Sequence, residues 1–332
     1  MVRQGAYSGC VLSLGARWGE GGQLQSLAAG AMWKVMLVTG GNKGIGLAIV
    51  ETLLVEVADS IVLLGSRDGA RGQAAVDGLV AKLGKQVQGR LQLLVLDVTS
   101  QESVDVALAK VKRDHGTIYG VINNAGGGLT NGNPRETIEL NTYGVRRVCE
   151  AFAPIIQPGG RIVQVNLKTK NHSNSKVSSG AAPMWVAKCD DRMKKLCTDP
   201  AVTWEDVESK IINPFLYTME AEGLADRAAG LLRKGFGQRT EGSWGEYGLS
   251  KAAVNCYTVE LGRRFPSITS TSCSPGLIAT DLTTAFNMSG KKSPAEGARC
   301  PVYLMTGALS SLPGFTSGWY FGSDCLRSPL HK

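Results

Sequence analysis

Along most of the chain, short apolar runs alternate with longer stretches of helical spacing. The alternation starts at Lys34, where Lys34–Val38 is an apolar run of strand length. Gly44–Ala58 then spaces its apolar residues three and four apart, as a half-buried helix does. The pair repeats as strand Ile61–Gly65 with helix Ala70–Leu83, then strand Leu91–Leu96 with helix Gln101–Asp114. Strand Ile118–Ile122 precedes a long amphipathic stretch, Arg135–Ala153, and Arg161–Val165 is again strand-like. An irregular region follows, in which Trp204–Lys210 and Leu224–Arg233 have helical spacing. Tyr247–Phe265 predicts a helix, Ile268–Cys273 a strand, Pro294–Thr306 a helix and Gly318–Phe321 a last strand. Buried apolar strands alternating with helices predict a parallel sheet covered on both faces, with right-handed crossovers. The predicted fold is therefore α/β: a single Rossmann-type doubly wound domain with about seven parallel strands. No internal repeat is evident.

The alternation fills residues 32–325, with 326–332 as a tail. Residues 1–31 are rich in Gly, Ser and Ala, carry Arg3 and Arg17 against one acid, Glu20, and hold no continuous apolar core of a secretory signal. They read as a disordered extension or, being acid-poor, as an organelle transit segment. No apolar run approaches the ~20 residues that span a bilayer, so no membrane association is expected. Apolar residues make up 43% of the 332 and charged residues 19%, which allows a large core and excludes a charge-rich disordered chain. The 42 glycines have no collagen period and mark turns and close backbone approaches.

The net charge of +8 could suggest a nucleic-acid partner. Its distribution argues against one, because Lys168 to Lys195 carries +5 of it and no recognition motif accompanies that segment. The eight cysteines, Cys10, Cys149, Cys189, Cys197, Cys256, Cys273, Cys300 and Cys325, form no CxxC pair. They read as reduced thiols of a cytoplasmic protein, and no metal site is predicted.

Directly after the first strand stands Thr39-Gly-Gly-Asn-Lys-Gly-Ile-Gly46. A strand-to-helix turn beside a diphosphate cannot carry bulky side chains. Gly40, Gly44 and Gly46 let the backbone approach, while the new helix aims its free N–H groups at the anion. Asn42, Lys43 and Ile45 complete that loop. At the end of the second strand stands Gly65-Ser-Arg-Asp68, where NAD-binding proteins usually place an acid toward the ribose 2′-hydroxyl. Arg67 can fork onto a 2′-phosphate and Lys43 can add a second cation, which favours NADP(H). Asp68 can instead cap the next helix. Asp97, ending the third strand beside Val98, is placed to accept from an adenine amino group or to cap the helix that follows.

Tyr247 and Lys251 are spaced i, i+4 on a predicted helix, so both point to one face. A phenol ordinarily loses its proton near pH 10, and a neighbouring ammonium makes it a usable general acid.

With these residues in place, the chain resembles the short-chain dehydrogenase/reductase superfamily. The matching motifs are Thr39-Gly-x-x-x-Gly-x-Gly46, Asn123-Asn-Ala-Gly126, Asn141, Tyr247-x-x-x-Lys251 and Pro275-Gly276, in family order from Lys34 to about Phe321. The Asn-Lys within the glycine loop, Arg67-Asp68 and the long segment before Tyr247 look most like the carbonyl reductases. The resemblance implies NADPH-dependent reduction of a small-molecule ketone or aldehyde. Tyr247 would protonate the carbonyl oxygen, Lys251 would bond the nicotinamide ribose, and Asn141 would hold a water of the proton relay. Asn124 would support the sheet, with Ala125 and Gly126 leaving room for the adenosine ribose. Pro275, Gly276, Ile278 and Thr280 would flank the nicotinamide and its phosphates. Read as plain structure, Asn141 is a mid-helix polar residue and Asp281 a helix cap.

The family also needs a serine hydroxyl just past the fifth strand. Here Val165 runs into a polar stretch, and Ser178-Ser179-Gly180 comes only afterwards. Residues 166–177 read as a 12-residue polar insertion, with Ser179 the displaced catalytic serine; otherwise Asn166 occupies the place. His172 in the insertion reads as a solvated loop residue. Residues 181–246 correspond to the substrate lid, whose helical insert in carbonyl reductases covers the faces that other members use to make tetramers. That implies a monomer. The same fold also serves NADP-dependent alcohol or steroid dehydrogenases and ketoacyl reductases, and an impaired member would act as an NADP-binding sensor or scaffold.

Overall fold

The computed structural model describes residues 33–127, 133–166, 181–221, 230–231, 233–236, 244–280 and 291–328, with the backbone of 17–18 and 24–25. Two units separate, Met1–Trp33 and Lys34–Lys332. In the first, Arg17–Trp18 pairs antiparallel with Leu24–Gln25.

The second unit is built on seven parallel strands: β1 Lys34–Val38, β2 Ser60–Ser66, β3 Leu91–Val95, β4 Ile118–Asn123, β5 Ile156–Val165, β6 Thr269–Cys273 and β7 Tyr320–Phe321. Their order is β3-β2-β1-β4-β5-β6-β7. The order reverses between β1 and β4, and that switch point opens a crevice at the carboxyl ends of both strands. Helices α1 Gly44–Glu56, α2 Gly69–Leu83 and α3 Gln101–His115 connect the first four strands. Between β4 and β5 run α4 Pro134–Ile138, a π turn Glu139–Tyr143 and α5 Gly144–Phe152. Helix α10, Trp244–Arg264, precedes β6, and α11, Pro294–Thr306, precedes β7.

The apolar runs became strands because they are covered on both sides. Met36, Val38, Val62, Leu64, Ile122 and Val163 share one core with Ile49 and Leu53 of α1 and Val302 and Leu304 of α11. β5 begins earlier than its apolar run suggests, since Gln157-Pro-Gly-Gly160 also lies within the strand.

Three further helices occupy the region that looked irregular: α6 Ala181–Lys188, α7 Asp191–Thr198 and α9 Asn213–Ala221. Helix α8, Trp204–Val207, and a π turn, Glu208–Ile212, complete the segment. Trp204 is wedged edge-on between the rings of Tyr143 and Tyr257, each with its centroid 5.5 Å away, and the Arg146 guanidinium lies over it at 4.6 Å. The Tyr143 hydroxyl donates to Glu208 at 2.9 Å, and Arg263 donates to the carbonyls of Pro200, Ala201 and Val202. This segment therefore covers outer faces of the π turn, α5 and α10. Leu224–Arg233 lies largely outside the described residues. Among the described residues no helix is long and apolar enough to cross a membrane, and no group of His, Cys, Asp and Glu could hold a metal ion.

Candidate active site

The glycine loop is held open by its neighbours on both sides. Thr39 N–H donates to the Ile122 carbonyl at 3.0 Å, and Gly41 N–H to the Gly65 carbonyl at 2.8 Å. Gly40 and Gly44 have φ of +63° and +56°, a region that favours glycine. Gly46 is required for a different reason. A Cβ there would lie 2.1 Å from the Gly40 carbonyl oxygen and 2.5 Å from Asn124 Nδ2.

Asn124 closes the loop from β4. Its Nδ2 donates to the carbonyls of Thr39 and Gly40 at 3.1 and 3.2 Å, while Thr39 Oγ1 accepts the N–H groups of Asn124 and Ala125, both at 3.0 Å. Residues 85 positions apart are thus clamped at the switch point. Ile45 and Ile278 are buried and pack where a Cβ on Gly297 of α11 would stand. Thr280 lies against Gly44, and Gly276 turns the chain at φ +95° after Pro275. Asn42 is half-buried and Lys43 exposed on the loop.

The rim at β2 separates its two charges. Asp68 caps α2: it accepts the Arg71 N–H at 3.0 Å and pairs with the Arg71 guanidinium at 3.2 Å. Arg67 is exposed and makes no ion pair among the described residues. At β3, Asp97 does not cap the next helix. Its Oδ1 accepts from Thr99 N–H and Oγ1, at 2.9 and 2.7 Å, and Ser100 takes the capping role for α3. The cap therefore falls three residues later than one of the two readings of Asp97. Val98 is buried against Gly144.

Beyond the loop stands the polar cluster. Asn141 sits in the π turn and is fully buried. Its side chain brackets Gly127, donating to the Gly127 carbonyl at 2.9 Å and accepting its N–H at 3.0 Å. A π turn inside a helix is a frequent mark of a functional position. Asn141 Nδ2 also reaches Ser250 Oγ at 3.3 Å, between Tyr247 and Lys251 in sequence. Lys251 is only 2% exposed, and its ammonium donates to the Val165 carbonyl at 3.5 Å and lies 5.6 Å from the Tyr247 ring centre. Burial lowers the Lys251 pKa to about 8. Gly126 faces this group: a Cβ there would come within 2.9 Å of Asn141 Oδ1 and 3.4 Å of Lys251 Nζ. The space above Gly126 is thus bounded by side chains from two elements, the π turn and α10, that stand 110 residues apart in sequence.

Tyr247 is fully buried on the same face of α10. Ser179, His172 and Asp281 lie outside the described residues. Asn166 is described, and its amide is turned to Asn255 of α10 at 2.7 Å. No sequence signal marks that pairing, since neither asparagine stands in a recognisable motif.

A glycine-lined crevice at a topological switch point, with a buried phenol–lysine pair at its mouth, defines a dinucleotide-binding α/β protein. The family model for short chain dehydrogenase matches residues 34–182. NADPH carbonyl reductase 1 of Homo sapiens is 30% identical over 283 residues, covering 81% of this chain and 90% of the relative. NADPH carbonyl reductase 3 of Rattus norvegicus is 29% identical over 290 residues, 82% of this chain and 90% of the relative. Among solved structures, menthone neomenthol reductase from Mentha piperita shares the fold with a TM-score of 0.64 and 24% identity, over 88% of this chain and 99% of that one. The chain belongs to the short-chain dehydrogenase/reductase family. It is a nicotinamide-dependent oxidoreductase of carbonyl-reductase type.

Proposed function

We propose that the protein reduces a small ketone or aldehyde to an alcohol with NADPH. The observation that carries this reading is the buried Tyr247–Lys251 pair beside Gly126 and Asn141, at the mouth of the glycine-lined crevice. When bound there, a reduced nicotinamide supplies the hydride. Tyr247 gives its phenolic proton to the carbonyl oxygen. The Lys251 ammonium stabilises the phenolate left behind and bonds the nicotinamide ribose, and Asn141 holds the water that returns the proton. Ser179 binds the carbonyl oxygen from the far side of the insertion.

The crevice suits a dinucleotide because a side chain on Gly126 would fill it. The rim favours NADPH over NADH. Asp68, the acid that would repel a 2′-phosphate, is committed to the start of α2, and the Arg67 guanidinium is left to meet it. Asp97 and Val98 flank the adenine. The cover formed by Trp204 and its neighbours favours a monomer, so sedimentation should give one species near 35 kDa. A stable tetramer would remove that part of the reading.

The test is NADPH oxidation against a panel of quinones, α-dicarbonyls and aromatic aldehydes. Tyr247→Phe keeps the ring and removes the proton, so turnover should fall by about 10²–10⁴-fold with NADPH binding retained. Unchanged turnover would refute the role of Tyr247. NADPH binding without turnover of any carbonyl by the unaltered protein would point to a sensor or scaffold instead.

A further inference from the structure

Strand β5 and helix α10 are tied together twice at the site. The first tie is the Lys251 ammonium on the Val165 carbonyl, at 3.5 Å. The second lies one residue further along the strand and one turn further along the helix, where Asn166 Nδ2 donates to Asn255 Oδ1 at 2.7 Å. Both asparagines are shielded from water, with exposures of 1% and 3%. Tyr247, Lys251 and Asn255 follow at intervals of four and share one face of α10. On the strand side, Asn166 N–H donates to the Cys273 carbonyl at 2.7 Å, which carries the β5–β6 pairing one residue beyond Val165. Asn166 is thus fixed to the sheet by its backbone and to the helix by its side chain.

The two ties differ in strength. The lysine contact is long and ends a flexible four-carbon stem, so small changes in the helix-to-strand spacing alter it. The amide pair is short, and breaking it leaves a buried donor and a buried acceptor without each other. We propose that Asn166 and Asn255 are positioning residues for Lys251: their hydrogen bond sets the spacing between β5 and α10 and so holds the ammonium at the Val165 carbonyl. Neither touches the reacting atoms. Among the described residues, Tyr247 faces Lys251 from its own helix. The strands and the π turn present the Val165 carbonyl, Gly126 and the neutral Asn141. Burial is the cause of the lowered Lys251 pKa, so a change in how deeply the ammonium sits moves its titration.

This inference rests on the carbonyl-reductase reading for its kinetic arm and on NADPH binding alone for its binding arm. The experiment compares full-length protein with Asn166→Leu, Asn255→Leu and the double variant. Each single variant should lower kcat by about tenfold or more, the scale of a sub-ångström misplacement, with the NADPH KM little changed. The pH at which NADPH affinity changes, read by protein fluorescence between pH 6 and 9.5, should move by about half a unit or more, as a protonation change near the ribose requires. The double variant should be no worse than either single one, because both remove the same bond. If Asn255→Leu fails to fold, Asn255→Ser removes the reach of the amide with a smaller change in volume. A lowered Tm with unaltered kcat and unaltered pH dependence of binding would make the pair merely structural and overturn the proposal. If the unaltered protein reduces no carbonyl, the kinetic arm fails with the functional reading, while the binding arm still decides the role of the pair.

Discussion

The glycine loop and the Tyr247 helix meet at one crevice but are made of opposite materials. The loop is almost all backbone: Gly40, Gly44 and Gly46 work through what they lack, and Thr39 and Asn124 hold the carbonyls and amides in register. The helix works through buried polar side chains, Tyr247, Lys251, Ser250 and Asn255, which need partners from β5 and the π turn. The loop is therefore intolerant of added atoms. The helix tolerates its own shape easily but carries a desolvation cost that the rest of the fold must offset.

Adding one carbon to the loop should do the greatest damage. The Gly46→Ala methyl must displace the Gly40 carbonyl, and overpacking against backbone costs up to about 3 kcal/mol or more. NADPH affinity should fall by about a hundredfold or more in a fluorescence titration. A variant that bound NADPH normally would show that the loop is not rigid.

On the helix, removing the buried charge should stabilise the apoprotein while abolishing activity. With its pKa lowered from 10.5 to about 8, folded Lys251 binds its proton more weakly than the unfolded chain does. Below pH 8 the full cost of burying the ammonium is present. It shrinks as pH rises from about 8 and is gone above about 10.5. Lys251→Met should therefore gain on the order of 3 kcal/mol at pH 7 over the unaltered protein, and progressively less up to pH 10, in urea denaturation. A gain that did not change with pH would place the ammonium in water.

At the rim, where loop and solvent meet, the effect should be smaller and selective. Arg67→Asp should weaken NADPH binding by about 1–3 kcal/mol and leave NADH little changed. Equal affinity of the unaltered protein for both cofactors would contradict the assignment. Smallest of all, Gly78→Ala in α2 meets nothing within 4 Å, and an exposed helical glycine gives up about 0.5–1 kcal/mol to alanine. Thermal denaturation should show that gain, in contrast to Gly46→Ala.

Much of this was legible in the chain. The strand Lys34–Val38 and the helix Pro294–Thr306 have the bounds their patterns predict, and the i, i+4 spacing alone put Tyr247 and Lys251 on one face. The helices at Ala181–Lys188, Asp191–Thr198 and Asn213–Ala221 were not legible. They pack among one another and on outer helix faces instead of on the sheet, and they are broken by caps such as Asp190 and Thr203, which leaves no long single stripe to read. The π turn at Glu139–Tyr143 was hidden because one extra residue in a turn barely disturbs a helical pattern. Asp97 offered two roles of equal appearance, and only the contacts of Ser100 and Thr99 removed the capping one.

By itself the sequence determined what short-range sterics and periodicity determine: where strands and helices form, where only glycine fits, and which neighbours on one helix share a face. The tertiary structure alone decided which distant groups meet. It clamped Thr39 to Asn124, brought Gly126 under Asn141 and Lys251, and paired Asn166 with Asn255 across 89 residues. It also lowered the Lys251 pKa, because desolvation belongs to the packed whole and to no stretch of chain.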